Sequence, residues 1–179
     1  MIPSTGLLAP INAPSVPGLA IPHDLYWVLS DPAPLAGMVY PSAHLCWAAL
    51  EAAGFCHVVC LTGSSFAYNP SPLNALLAVA LEDLYDKPGP SCPQAEEESI
   101  RRAAQIVAAT VQSGEGVVVH CDGGTGRTGT VLGCALRLLG YPTPVVLGFL
   151  EQVNRARGRD GWPESPWQAR VVAGFAASE

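Results

Sequence analysis

Short apolar runs alternate with longer segments of helical character along most of the chain. Brief, largely apolar runs bounded by turn residues predict strands at 25–29, 38–40, 57–61, 75–81 and 117–119. Longer segments predict helices at 43–51, 94–113, 131–139, 142–157 and 163–176. Strands and helices alternate up to residue 119, and only helices follow. This order predicts a single α/β domain.

Residues with helix-capping chemistry mark the boundaries of several predicted helices. Ser42 is the expected N-cap of the first helix, and Gly54 is its expected stop. Gly114 is the expected stop of the long second helix. Pro142 is expected to begin the helix that runs to residue 157, because proline is favoured in a first turn.

The first 24 residues differ from the rest in composition. Prolines at 3, 10, 14, 17 and 22 alternate with small apolar residues, which is typical of an extended arm. We therefore expect an N-terminal arm at 1–24 and a folded domain at 25–179. A chain of 179 residues with 49% hydrophobic composition can bury one sizeable core.

Charge and cysteine usage narrow the function classes. A net charge of -6 with only nine basic residues argues against nucleic acid or an anionic membrane as partner. The chain has no apparent signal peptide or membrane span, so the cytoplasm is expected. Six cysteines lack the spacing of a zinc site or a secreted disulfide framework. We expect no metal, no cofactor and a monomer.

The stretch from Val117 to Gly129 carries the clearest chemistry. An apolar run stops, glycines follow, and a second apolar run at 131–139 predicts a helix, so the stretch is a strand-to-helix turn. Such a turn directs backbone N–H groups and a helix N-terminus at an anion. Cys121 and Arg127 bracket it, which predicts a phosphate pocket with a nucleophile inside.

Each residue of this turn has an expected role. A helix N-terminus and a nearby cation favour the thiolate form of a cysteine, so Cys121 is the expected nucleophile on phosphorus. Arg127 is expected to hold the equatorial oxygens of the phosphoryl group, and Thr128 to stabilise the thiolate as leaving group. His120 is expected to fix the loop by an imidazole hydrogen bond or to pack in the core. The expected phosphate-binding loop comprises Asp122, Gly123, Gly124, Thr125, Gly126 and Arg127.

The leaving alcohol or phenol needs a proton, and a proline-rich acidic segment at 82–93 offers three carboxyl groups. Asp83 is the expected general acid, Asp86 is the alternative, and Glu82 is the third candidate. The segment is also a candidate mobile lid over the pocket.

The motif from His120 and Cys121 through Arg127 and Thr128 resembles that of the cysteine-dependent protein tyrosine phosphatases, specifically the small atypical dual-specificity phosphatases. The flanks from about 25 to 175 are similar to the same group, including the segment around Asp83. The resemblance implies a central, mostly parallel sheet of four to five strands flanked by helices.

The resemblance also implies a function. It implies a metal-independent phosphatase with a phosphocysteine intermediate, acting on a phosphorylated protein or a small phosphomonoester with tyrosine or dual specificity. Gln168 is implied to lie near the pocket or to support it. The acidic segment holds extra residues between Tyr85 and Gln94, which keeps Asp86 open as the acid. Asp122 and the lack of a lysine in the loop argue against a highly charged phosphoinositide.

Two rival functions fit parts of the same stretch. Gly124, Gly126 and Gly129 match the dinucleotide-binding fingerprint, with Glu151 at the distance of the ribose carboxylate. That hypothesis lacks a following strand and leaves Cys121 unexplained. A phosphopeptide-binding module without turnover would keep the same pocket, although intact catalytic residues favour turnover.

Overall fold

The computed structural model describes Leu7 and residues 13–175, which form a five-stranded sheet flanked by helices. The strand order is β1-β2-β5-β3-β4, with β1 and β2 antiparallel and the other pairs parallel. This confirms the predicted α/β fold with a mostly parallel sheet. The strands are β1 (Leu25–Leu29), β2 (Leu35–Met38), β3 (Phe55–Cys60), β4 (Asn74–Ala78) and β5 (Gly116–His120).

Helices cover both faces of the sheet unequally. Four of them share one large core with the sheet, whereas α1 and apolar residues between 13 and 21 cover the other face. Among the described helices, none is long and apolar enough to cross a membrane. The helices are α1 (Trp47–Ala52), α2 (Pro93–Gln112), α3 (Gly126–Leu138), α4 (Thr143–Ala156) and α5 (Pro166–Gly174).

Strand β5 lies between β2 and β3, with parallel neighbours on both sides. Its three valines, Val117 to Val119, are all 0% exposed, because a parallel strand covered on both faces is apolar throughout. In open α/β sheets, ligands bind beyond the carboxyl ends of such strands. Cys121 follows β5 directly and therefore lies at this edge.

Several predicted boundaries are wrong, and β4 is Asn74–Ala78 rather than 75–81. Helix α1 begins at Trp47 rather than 43, and its N-cap is Cys46 rather than Ser42, because residues 43 and 44 form a turn. Strand β2 is Leu35–Met38 rather than 38–40, since small Ala36 and Gly37 pair with β1 although they do not read as an apolar run. Helix α3 begins at Gly126, inside the predicted loop, and α5 begins at Pro166 rather than 163.

Residues 1–6 and 8–12 of the predicted N-terminal arm lie outside the described residues. Its described part packs on the sheet: Val16 is 2% exposed, and the indole N–H of Trp27 donates to the carbonyl of Pro14 at 3.0 Å. Leu7 forms an isolated antiparallel bridge with Leu29. The division into an arm and a domain stays a prediction.

Candidate active site

The loop from Cys121 to Thr125 joins the end of β5 to the first residue of α3. Cys121 is 2% exposed and belongs to the core on the helical face of the sheet. Helix α3 therefore begins immediately after the loop, and its N-terminal N–H groups lie at the site.

The loop carbonyls are bound by groups that come from outside the loop. Arg157, at the end of α4, donates from Nη2 to Gly123 O at 2.8 Å and from Nη1 to Gly124 O at 3.1 Å. Tyr26, on β1, donates its hydroxyl to Gly124 O at 2.7 Å. The Tyr40 N–H donates to Asp122 O at 2.9 Å.

These contacts use the carbonyl groups of residues 122, 123 and 124. Within the described chain, the backbone N–H groups of residues 122–127 have no hydrogen-bond acceptor. Successive backbone N–H groups without an internal acceptor can form a nest that binds an anion. The loop is therefore a candidate anion-binding nest.

Two glycines of the loop region lie in close contact with neighbouring groups. Gly124 has φ 72°, a conformation that L residues rarely adopt, and a Cβ there would lie 2.6 Å from the carbonyl oxygen of Met38. A Cβ on Gly126 would collide with the carboxylate of Glu164. Close packing therefore accounts for these two glycines of the dinucleotide-binding fingerprint.

Arg127 is the second residue of α3, and its side chain is only 11% exposed. Its Nη2 is 2.8 Å from Asp122 Oδ2 and 3.6 Å from Asp83 Oδ2. Burial opposes the charge, but the contact with Asp122 and the nearby Cys121 and Asp83 outweigh it and raise the pKa of Arg127. The guanidinium is therefore a permanent cation at the rim of the nest.

Thr128 on α3 and His120 at the end of β5 are buried residues on either side of the loop in sequence. The buried Oγ1 of Thr128 has no hydrogen-bond partner among the described residues. His120 is 0% exposed, its Nδ1 lies 3.1 Å from Cys121 O, and its Nε2 contacts the Tyr68 hydroxyl. The imidazole thus links the base of the loop to Tyr68, while its role stays a prediction.

The three carboxyl groups of the acidic segment at 82–93 make different contacts. Asp83 reaches Arg127, and its other oxygen accepts from the Tyr85 N–H at 3.1 Å. Glu82 instead accepts from the Ser91 N–H at 2.8 Å, a bond that lowers the pKa of Glu82 and makes it a poor proton donor. Asp86 lines a cleft of about 350 Å³ beside the loop.

Glu164 is a further acid at the site, and the sequence patterns did not identify it. Glu164 lines the same cleft, and its carboxylate lies against Gly126. Burial and the negative charge of Asp83 raise the pKa of Glu164. Gln168 is 1% exposed and accepts from the N–H groups of Glu164 and Ser165 at 3.0 and 3.2 Å, so it holds the turn that carries Glu164.

Three more contacts were missed for identifiable reasons. Arg157 and Arg159 lie in a basic stretch that the pattern treats as the end of a helix, and Tyr26 is an ordinary strand residue by composition. Arg157 differs from an ordinary surface arginine only in the fold, where its charged side chain is buried and the residue is 4% exposed. Arg159 donates to Gly123 O at 3.3 Å. Within the described residues, no group of three or more His, Cys, Asp or Glu could hold a metal ion.

Solved phosphatase structures share this fold. Tk-PTP in its active form is 24% identical with a TM-score of 0.55, over 79% of this chain and 90% of that chain. A human tyrosine phosphatase-like serine/threonine/tyrosine-interacting protein is 16% identical with a TM-score of 0.58, over 77% and 87%. PTPMT1, solved in complex with PI(5)P, is 16% identical with a TM-score of 0.54, over 79% and 88%.

The fold and the loop together define a phosphatase domain of the dual-specificity type. Residues 23–161 match the family model described as PTP-SAK, Swiss Army Knife protein, DSP-PTPase phosphatase domain. The chain belongs to that family, which confirms the resemblance drawn from its sequence.

The dinucleotide hypothesis is wrong. In the described part of the chain, α3 is followed by helices and by no strand that could carry a ribose carboxylate. Glu151 lies on α4, pairs with Arg155, and accepts from the Trp162 N–H at 2.9 Å.

Proposed function

We propose that the chain hydrolyses phosphomonoesters, with phosphotyrosine alone or phosphotyrosine and phosphoserine or phosphothreonine of proteins as substrates, through a phosphocysteine intermediate. The observation that carries the proposal is the candidate nest: a buried cysteine is followed directly by residues 122–127, whose backbone N–H groups have no acceptor in the described chain, and Arg127 is among them. Such a nest binds the phosphoryl oxygens in the ground state and more tightly as charge redistributes in the transition state.

In the first step, Cys121 attacks phosphorus and Asp83 protonates the leaving oxygen. The Asp83 carboxyl lies within 3.6 Å of the guanidinium that holds the phosphoryl group, which supports this role over Asp86. Thr128 then donates its hydroxyl to the sulfur. Its unpartnered buried Oγ1 supports this, because an unpaired buried hydroxyl is costly unless a ligand or a thiolate completes it.

The charge around the nest favours a modestly charged substrate. Asp83 and Asp122 both lie close to Arg127, and Glu164 lies against the loop. These carboxylates would repel a second phosphate next to the reacting one. A phosphoprotein or a small phosphomonoester suits this environment better than a polyphosphorylated ligand, and we expect a cytoplasmic monomer without a cofactor.

Hydrolysis of p-nitrophenyl phosphate by the purified chain in the presence of a metal chelator tests the proposal. We expect turnover, inhibition by vanadate, and a loss of about 10⁴-fold or more in Cys121→Ser. Turnover that persists in Cys121→Ser would exclude the thiolate mechanism. Binding of a phosphopeptide with no turnover would favour the binding-module alternative.

A further inference from the structure

We propose that Glu82 is a positioning residue for Asp83: it closes the acidic segment at 82–93 and thereby sets the carboxyl group of the proposed general acid beside Arg127. The inference rests on the proposed function and gives Glu82, the third candidate acid of the segment, a different role. Glu82 and Asp83 are neighbours in sequence, but their side chains make separate contacts. Asp83 lies 3.6 Å from Arg127, whereas Glu82 contacts Ser91.

The Glu82 carboxylate joins the two ends of the segment. Its Oε2 accepts from the Ser91 N–H at 2.8 Å, and its Oε1 accepts from Ser91 Oγ at 3.1 Å. Lys87 Nζ lies 3.5 Å from the same Oε1. The Ser91 N–H is the main cause of a lowered pKa of Glu82, so the acceptor is the ionised carboxylate. Residues 83–90 therefore form a loop that is closed by charge-assisted hydrogen bonds.

The backbone on both sides of Asp83 is also fixed. The Glu82 N–H donates to Glu96 Oε1 on α2 at 2.7 Å, and Leu84 is 2% exposed. Asp83 itself is 58% exposed, and one of its oxygens accepts from the Tyr85 N–H at 3.1 Å. Because the carboxyl group of Asp83 is largely exposed, its neighbours in the chain set its location.

Loss of the Glu82 carboxylate would release the end of the segment at Ser91. Asp83 could then move away from Arg127, while the loop that holds Cys121 would keep its own supports. A displacement of about 1 Å can cost about 10²-fold in rate, because proton transfer requires the acid within hydrogen-bond distance of the leaving oxygen. The effect should therefore be confined to substrates whose leaving group needs a proton.

Two esters with different leaving groups test this role. Phenol leaves poorly without a proton, whereas dinitrophenolate leaves as the anion. We expect Glu82→Ala to lower kcat/KM for phenyl phosphate by about 10-fold and to keep kcat/KM for dinitrophenyl phosphate within about twofold. Activity with the second ester also reports that the variant is folded. Glu82→Gln keeps an acceptor oxygen for Ser91 and should recover most of the loss.

A double variant shows whether Glu82 acts through Asp83. In an Asp83→Asn background, Glu82→Ala should cause no further loss with phenyl phosphate, because no acid remains to be positioned. Glu98→Gln is the matched control, since Glu98 is an exposed carboxylate near the start of α2. It should stay within about twofold of the wild type with both esters.

Several results would overturn the positioning role. They are an unchanged kcat/KM of Glu82→Ala with phenyl phosphate, an equal fall with both esters, and a further loss in the Asp83→Asn background. A Glu82→Gln variant as impaired as Glu82→Ala would also overturn it, because that result would make Glu82 a proton donor. A wild-type chain that releases neither phenol in a Cys121-dependent manner would instead overturn the proposed function itself.

Discussion

The loop from Cys121 to Thr125 and the acidic segment at 82–93 meet at the candidate site but are built differently. The loop is buried, and three groups from outside it donate hydrogen bonds to its carbonyls. They are the Tyr26 hydroxyl, the Tyr40 N–H and the Arg157 guanidinium. The acidic segment is joined at its base by Glu82 and Ser91 and anchored by buried Leu84. Asp83 itself is 58% exposed.

The difference separates two requirements of the chemistry. In the proposed mechanism, stabilising a phosphoryl group depends on dipoles that are already oriented, which suits a loop tied to the core of the domain. Donating a proton to leaving groups of different shape needs an acid on a more open segment. Changes in the loop supports should therefore affect stability and activity together, whereas changes at exposed Asp83 should affect activity alone.

The largest expected effect on stability follows from Arg157. Its guanidinium is 4% exposed and bonds Gly123 O, Gly124 O, Thr125 Oγ1 and Asn154 Oδ1. Arg157→Met should lower the free energy of unfolding by about 3 kcal/mol, because several buried acceptors lose a charged donor. Urea unfolding measures this, and Arg157→Lys, which keeps the charge without the fork, should recover only part of it. An unchanged free energy of unfolding in Arg157→Met would break the contrast between the two regions.

The acidic segment should respond in the opposite way. Asp83→Asn should lower kcat/KM by about 10²-fold with phenyl phosphate, a poor leaving group, and flatten the basic limb of its pH profile. The free energy of unfolding should not change, because Asp83 is largely exposed. Asp86→Asn is the matched control on the same segment. A flattened basic limb in Asp86→Asn instead would move the acid to that residue.

The smallest effect should come from one hydrogen bond of the loop. Burial raises the pKa of Tyr26, so its hydroxyl stays protonated and donates to Gly124 O. Tyr26→Phe should lower the free energy of unfolding by about 1 kcal/mol, the usual net value of such a bond. It should also lower kcat/KM slightly. A variant as stable as the wild type would show that Arg157 alone holds this carbonyl.

Much of the fold was predictable because its signals are local. Strand β5 is a run of valines, and α2 carries a sustained apolar stripe ended by a turn at Gly114, so both lie close to their predicted positions. The predicted position of β2 was wrong because Gly37 packs against the Tyr26 ring, a contact that no local pattern contains. Boundaries failed where tertiary packing outweighed propensity.

The candidate site shows the same difference between local signals and long-range contacts. Cys121, Arg127 and the glycines between them could be named because one contiguous turn carries them. The support from Arg157 and the approach of Glu164 to Gly126 join residues more than 30 positions apart in sequence. Such contacts depend on how α4 and the connection to α5 return to the loop. They could not be read from spacing alone.

The most direct measurement is to trap the intermediate. Wild-type chain mixed with a ³²P-labelled phosphotyrosine peptide and quenched rapidly in acid should carry up to one phosphoryl group per chain. Peptide mapping should place that group on Cys121, and Cys121→Ser should carry none. Label on another residue, or turnover by wild type with no labelled cysteine at any quench time, would contradict the phosphocysteine mechanism.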